Sequence, residues 1–411
     1  MPAWLLALLL LQSAAPAADV APTLPAERLV APGTELSGAA WSVESPVPVR
    51  GYLGQFVLDT EWGPIEVQGR ELLALRIGEI EALATLDEIN SSEAFVDAFA
   101  GSAAATGRAL GRVVTQPVET VRGIPAGLGR MIKRTAASAR RIAVAVGDAT
   151  QRPREEPDEE ADPALDPRDF ANELAGVNQA RRDLARQLGI DPYTGNPLIQ
   201  ERLEKLAWAM VAGGLSMNLV MGELGGTASD VISTSRKLDS LAWDLPPSDL
   251  RRQLEQRLVE RGTEPRAARE FLRNSSFTPT LQLAFVDALE ALGRPQGEPA
   301  IVALAETVRG EVHARFLIQQ LKMLAQKLPE DEDVAELIPF EASLAAIDDN
   351  GELWITMPVD YLSWDDSAGI VAAKDGDPVS HLVIAGGVTE RARGRLEAAG
   401  WAVEAGVGLA E

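Results

Sequence analysis

Eight residues near the middle of the chain, Glu155 to Asp162, hold six acidic side chains and one proline. Such a block cannot bury enough apolar surface to offset the entropy of ordering it, so residues 151–168 read as a solvated linker, with Pro163 and Pro167 at its far end. The stretch before it has the opposite charge. Residues 101–154 carry ten Lys/Arg against two acids, Glu119 and Asp148, a net of +8. The remaining residues carry 28 basic and 59 acidic side chains, a net of −31, which leaves the whole at −23. Any fold must accommodate this segregation, with a domain boundary at the acidic block.

Composition then removes several function classes. Apolar residues are 46% and charged residues 24% of the 411, an ordinary globular balance. A general nucleic-acid binder should be basic, and this chain is strongly acidic. Without cysteine there are no disulfides, thiolate metal sites or cysteine nucleophiles. Only His313 and His381 offer imidazole chemistry. They are far apart and lack a third partner at usable spacing, so each reads as a packing or surface residue. No cofactor and no metal site is expected.

The chain opens with a short leucine-rich run, Trp4 to Leu11, too short to span a bilayer. An Ala-x-Ala pattern ending at Ala17 follows, so residues 1–17 read as a cleaved export signal. No Lys or Arg precedes the run, and an uncleaved interfacial anchor is the other reading.

Residues 18–48 show no sustained period and are expected to be an extended lead-in. Residues 49–150 are expected to hold a β-hairpin and helices. Gly51 to Thr60 and Ile65-Glu66-Val67 have strand-type residues around the turn Glu61-Trp62-Gly63-Pro64. From Arg70 the period becomes helical, with Leu73, Ile77, Ile80 and Leu83 on one face, and Asn90 or Ser91 can cap a second helix. Residues 169–330 are expected to form a helical domain. Within it Leu250, Leu254 and Leu258 share a face, Thr278-Pro279 starts a helix that Gly293 ends, and a long apolar stripe runs from Ile301 to Leu328. The turn Asp191-Pro192-Tyr193-Thr194-Gly195-Asn196-Pro197 separates two of the helices. Leu206 to Gly222 is uncharged for 17 residues and reads as a buried helix, with membrane insertion as the alternative.

Residues 338–411 read as a small α/β domain. Asn350-Gly351 is a hairpin turn before the strand Leu353–Met357. Strand Leu382–Ala385, helix Glu390–Ala399 and strand Trp401–Ala405 form a β-α-β unit with parallel strands. The expected fold class is therefore mainly α and multidomain, with an N-terminal β-hairpin plus helices, a central helical domain and a small C-terminal α/β domain.

Three features could carry chemistry. Asp360, Asp365 and Asp366 flank Tyr361 and Trp364. Two carboxylates beside aromatics could serve glycoside hydrolysis or hold a hard cation, or simply form an anchored loop. Gly386, Gly387 and Thr389 sit at a strand-to-helix turn. Free amides there could bind an anion, or the glycines could just close the turn while Thr389 caps the helix. The basic segment is the most distinctive. Arg130, Lys133, Arg134, Arg140 and Arg141 are interleaved with Met131, Ile132 and Ile142. They could contact an acidic protein partner or an anionic membrane surface, or pack inside the chain against its acidic remainder. The expectation is an exported, non-enzymatic envelope protein that scaffolds or binds a partner through this segment. A membrane-active protein is the second reading and a hydrolase the third.

Overall fold

A computed structural model describes residues 22–92, 95, 167–213, 240–328, 333–340, 343–364 and 380–407. Residues 1–17, read above as an export signal, the basic segment, the acidic block, Asp365, Asp366 and residues 214–222 lie outside these. Helix makes up about half and strand about a fifth of the described residues. The protein is mixed α/β, and the expectation of a mainly α fold is corrected. Two groups of strands account for the difference. Residues 18–48, expected as an extended lead-in, hold two short strands, Thr23–Leu24 and Trp41–Val43, and the start of a third, Val47–Arg50, and Val334–Phe340 adds one not expected from the sequence. Strands of two to four residues are too short to display a period of two.

The chain divides into two compact units. Among the described residues the first holds 22–81, 193–196 and 240–407, and the second holds 82–92, 95, 167–192 and 197–213.

The first unit begins with an antiparallel sheet of β1 (Thr23–Leu24), β2 (Trp41–Val43), β3 (Val47–Arg50), β4 (Leu53–Thr60) and β5 (Ile65–Gln68). Strand β4 pairs with β3, β2 and β5, and β1 extends β3. Along β4 the buried positions Gly54, Phe56, Leu58 and Thr60 alternate with more open ones, as a half-buried strand requires. Gly51 and Tyr52, at φ 54° and 66°, turn β3 into β4. Positive φ at both central positions matches the twist of the flanking strands. Helix α1 (Arg70–Ser91) follows, and its Leu73 and Ile80 pack on Phe56, Leu58 and Val67.

The helical layer comprises α4 (Ser240–Asp244), α5 (Pro247–Glu260), α6 (Pro265–Arg273), α7 (Pro279–Glu290), α8 (Glu298–Thr307) and α9 (Glu311–Lys327). Proline opens α5, α6 and α7, where its missing N–H costs nothing. Thr278 caps α7 by accepting from the Leu281 amide. Leu250, Leu254 and Leu258 are buried together on α5 as their spacing requires. Phe271, Phe277 and Phe285 meet with centroids 4.8–5.7 Å apart. The stripe from Ile301 is divided between α8 and α9, because the chain turns at Arg309-Gly310, with Gly310 at φ 83°.

The second sheet has the order β12-β10-β8-β7-β6, from β6 (Val334–Phe340), β7 (Ser343–Asp348), β8 (Leu353–Met357), β10 (Ser380–Ile384) and β12 (Trp401–Ala405). Strands β8, β10 and β12 are parallel, and α10 (Glu390–Ala398) crosses between β10 and β12. A small parallel pair, β9 (Tyr361–Leu362) with β11 (Gly387–Val388), stands apart. Leu344, Ala346, Trp354 and Val383 face the helical layer and share its core. Ile355, Leu382 and Ile384 face Ala392 and Leu396 of α10. The helices from α4 onward and the second sheet are thus layers around common cores, whereas the sequence reading drew a boundary between them near residue 330.

The second unit contains the C-terminal part of α1, α2 (Pro167–Gln187) and α3 (Pro197–Gly213). Leu83, Leu86, Leu184, Ile199, Leu203 and Leu206 are buried in it. Arg202 on α3 grips Asp87 on α1 with two nitrogens. No helix among the described residues is long and apolar enough to cross a membrane.

Candidate functional site

Asp360 lies just before β9 and is 2% exposed. Its carboxylate accepts from the Gly54 amide at 2.7 Å and the Arg70 amide at 3.2 Å, and the Arg70 Nε is 3.8 Å away. Arg70 is the first residue of α1, so a side chain 290 positions later caps that helix and meets the positive end of its dipole. The main chain is equally tied. The Asp360 N–H donates to the Tyr52 carbonyl, and the Asp360 carbonyl accepts from the Gly387 amide, each at 3.0 Å. A Cβ at Gly386 would overlap the Asp360 carbonyl, so this close approach needs glycine. Burial pushes the Asp360 carboxyl up to about 6, against the two amides and the Arg70 charge, which pull it down.

These contacts also fix the glycine turn. The Gly387 amide is used by Asp360, and the Thr389 amide donates to the Leu362 carbonyl at 2.9 Å. The Thr389 hydroxyl accepts from the Ala392 amide at 3.1 Å and starts α10. Gly387 and Thr389, two of the amides expected to cradle an anion, bond within the fold. Of the three aspartates, only Asp360 is among the described residues, and it turns inward onto Gly54 and Arg70.

Sequence reasoning missed a second buried polar group. Arg76 and Glu79 on α1 are 6% and 1% exposed. Arg76 donates to Glu79 at 2.9 Å, to the Thr194 hydroxyl at 3.2 Å and to Glu311 at 3.2 Å. Glu79 also accepts from the Asn196 amide group at 2.9 Å and from the Thr194 hydroxyl. Glu311 in turn holds Arg315 on α9. The signal was present in the sequence: Arg76 and Glu79 flank Ile77 on the apolar face of a helix, and the dense turn 191–197 supplies short polar side chains.

His381 stacks on Trp354 with centroids 4.0 Å apart and bonds Glu352 at 2.7 Å. The Trp354 indole donates to Asp348, which also holds the Asn350 and Glu352 amides of the β7–β8 turn. Beside this stack a cavity of about 250 Å³ opens between Lys327, Val383 and Glu404. His313 lies half-buried in the first turn of α9. A second cavity, about 360 Å³, lies at the C-terminal ends of α6 and α8 and is lined by Glu270, Arg273, Glu306 and Arg309. Burial, and then Glu270, push the Glu306 carboxyl up from its ordinary value. Asn274 closes the α8 end there by donating to the carbonyls of Ala305, Glu306 and Val308.

Among the described residues no three acids or histidines gather as a metal site would require. Arg130, Lys133, Arg134, Arg140 and Arg141 lie outside the described residues. No family model, curated protein or solved structure matches the chain.

Proposed function

We propose that the chain is an exported, non-enzymatic binding protein that engages an acidic partner protein through the basic segment around Arg130, Lys133, Arg134, Arg140 and Arg141. The observation that carries this reading is the segregation of charge, +8 in residues 101–154 against −31 elsewhere. The folded body adds support. Arg70, Arg76, Arg202, Arg257, Arg261 and Arg315 all spend their charge on internal acids. Six cations of the described body are thereby engaged within the fold, while Arg28, Arg50 and Arg251 are among those exposed on it.

A discrete acidic protein suits this layout better than a bilayer. A charged plane would extend beneath the whole −31 remainder and repel it, whereas a compact partner can face the basic segment alone, within a Debye length of about 8 Å at physiological salt. Membrane contact is the second reading, because each exposed cation near an anionic surface contributes about 1 kcal/mol. The test replaces the five cations by Gln and compares proteins co-purifying from the native host. Loss of a salt-sensitive acidic partner with unchanged melting temperature supports the proposal. Flotation of the parent, but not the variant, with phosphatidylglycerol vesicles would favour the membrane instead. A mature N-terminus near Ala18 would support export, and an intact chain kept in the cytoplasm would refute it.

A further inference from the structure

We propose that the cavity at the C-terminal ends of α6 and α8 binds a small zwitterion, an α-amino acid with a polar side chain. Two segments of one pattern frame it. Glu270-Phe271-Leu272-Arg273 closes α6, and Glu306-Thr307-Val308-Arg309 spans the end of α8. Phe271, Leu272 and Val308 are buried in the helical core. The acids and arginines that bracket them all line one cavity of about 360 Å³.

Opposite charges share this cavity without neutralising one another. Among the described residues, the Arg273 guanidinium and the Glu306 carboxylate have neither a hydrogen bond nor an ion pair. Arg309 spends its Nη1 on the Glu306 and Val308 carbonyls, at 3.1 and 2.9 Å. Glu270 is drawn toward Arg266, at 2.9 Å. The neighbouring helix behaves otherwise, since Arg257 and Arg261 on α5 close on Asp287, Glu290 and Glu298. The cavity floor is also fixed. The Asn274 amide group donates to three carbonyls of the α8 end, and its oxygen accepts from the Ser276 amide at 2.9 Å. The Ser276 hydroxyl donates to the Val308 carbonyl at 3.1 Å and accepts from the Gly310 amide at 2.9 Å. A floor set before the ligand arrives lowers the ordering cost of binding.

The two signs of charge select the ligand. A simple anion would face Glu270 and Glu306, and a metal cation would face two guanidiniums. An α-amino acid answers both, with its carboxylate toward Arg273 and Arg309 and its ammonium toward Glu306. Burial, and then the like charge of Glu270, push the Glu306 carboxyl up, so this acid gains from a neighbouring cation. The volume suits a small ligand, because small-molecule sites begin near about 300 Å³. Ser275 and Ser276 complete the lining and no apolar side chain belongs to it among the described residues, which favours a polar ligand side chain.

Isothermal titration calorimetry on the full chain with L-serine and L-glutamine tests this. Glu306→Gln and Arg273→Gln should each weaken binding by about tenfold or more, the worth of one charged hydrogen bond. Both should keep the parent's melting temperature, since neither side chain has a bonded partner to lose. On the parent, two analogues of the binding amino acid should each bind about tenfold more weakly or worse. One is its α-amide, which lacks the carboxylate, and the other is its deaminated form, which lacks the ammonium. No binding of either amino acid at millimolar concentration would overturn the proposal. So would binding that both variants retain, or a single-charge analogue that binds as tightly as the amino acid. The analogue comparison needs only the parent, so it decides the matter even if a variant does not fold.

Discussion

Glu79→Gln tests whether the buried ion pair on α1 organises the first unit. Glu79 is 1% exposed and accepts from Arg76, Asn196 and Thr194. Gln keeps the shape, but it removes the charge and points an amide donor at donors. Arg76, itself 6% exposed, then retains only Glu311 as a carboxylate partner, at 3.2 Å. Breaking one side of a buried pair costs about 3–5 kcal/mol. Because Glu311 survives, the expected loss lies at the low end, about 3 kcal/mol. The Arg76→Met/Glu79→Leu double variant should cost much less, since no charge is left stranded. Urea titration followed by circular dichroism reads both, and proteolysis near residues 193–196 reports whether the turn has come free. A Glu79→Gln variant within about 0.5 kcal/mol of the parent, the range of ordinary surface changes, would refute the reasoning.

Other perturbations follow from single contacts. Phe285→Ala, which removes one ring of the three-phenylalanine cluster, should cost about 3–5 kcal/mol in the same titration. Asn274→Ala strips the donor from three carbonyls at the end of α8 and should cost about 1–3 kcal/mol. Gly386→Ala should lower the melting temperature sharply, because its Cβ overlaps the Asp360 carbonyl, whereas Gly394→Ala, with open space around it, should be neutral or stabilising.

The sequence was most informative where local chemistry decides structure. Asn350-Gly351 set a hairpin, with Gly351 at φ 79°, and Thr389 and Gly400 bounded the helix between parallel strands β10 and β12. Leu250, Leu254 and Leu258 marked a buried face by spacing alone. It was least informative where long-range contacts decide. Strands β1 to β3 are too short to announce themselves and exist through pairing with β4 and with each other. The apolar stripe from Ile301 concealed a break, because Gly310 interrupts the helix without interrupting the burial. Asp360 was legible as a carboxylate beside aromatics. Its partners Gly54 and Arg70 lie about 300 residues earlier, and no local pattern names them.

The central claim concerns the five cations, and binding to a labelled oligoglutamate peptide tests it most directly. Fluorescence anisotropy on the full chain should show association at 50 mM salt that weakens steeply by 300 mM as exposed charges are screened. The five-Gln variant should not bind and should keep the parent's melting temperature. If the two proteins bind alike, or if the substitutions lower stability by several kcal/mol and the parent never binds, the segment is an internal layer and the proposed function is contradicted.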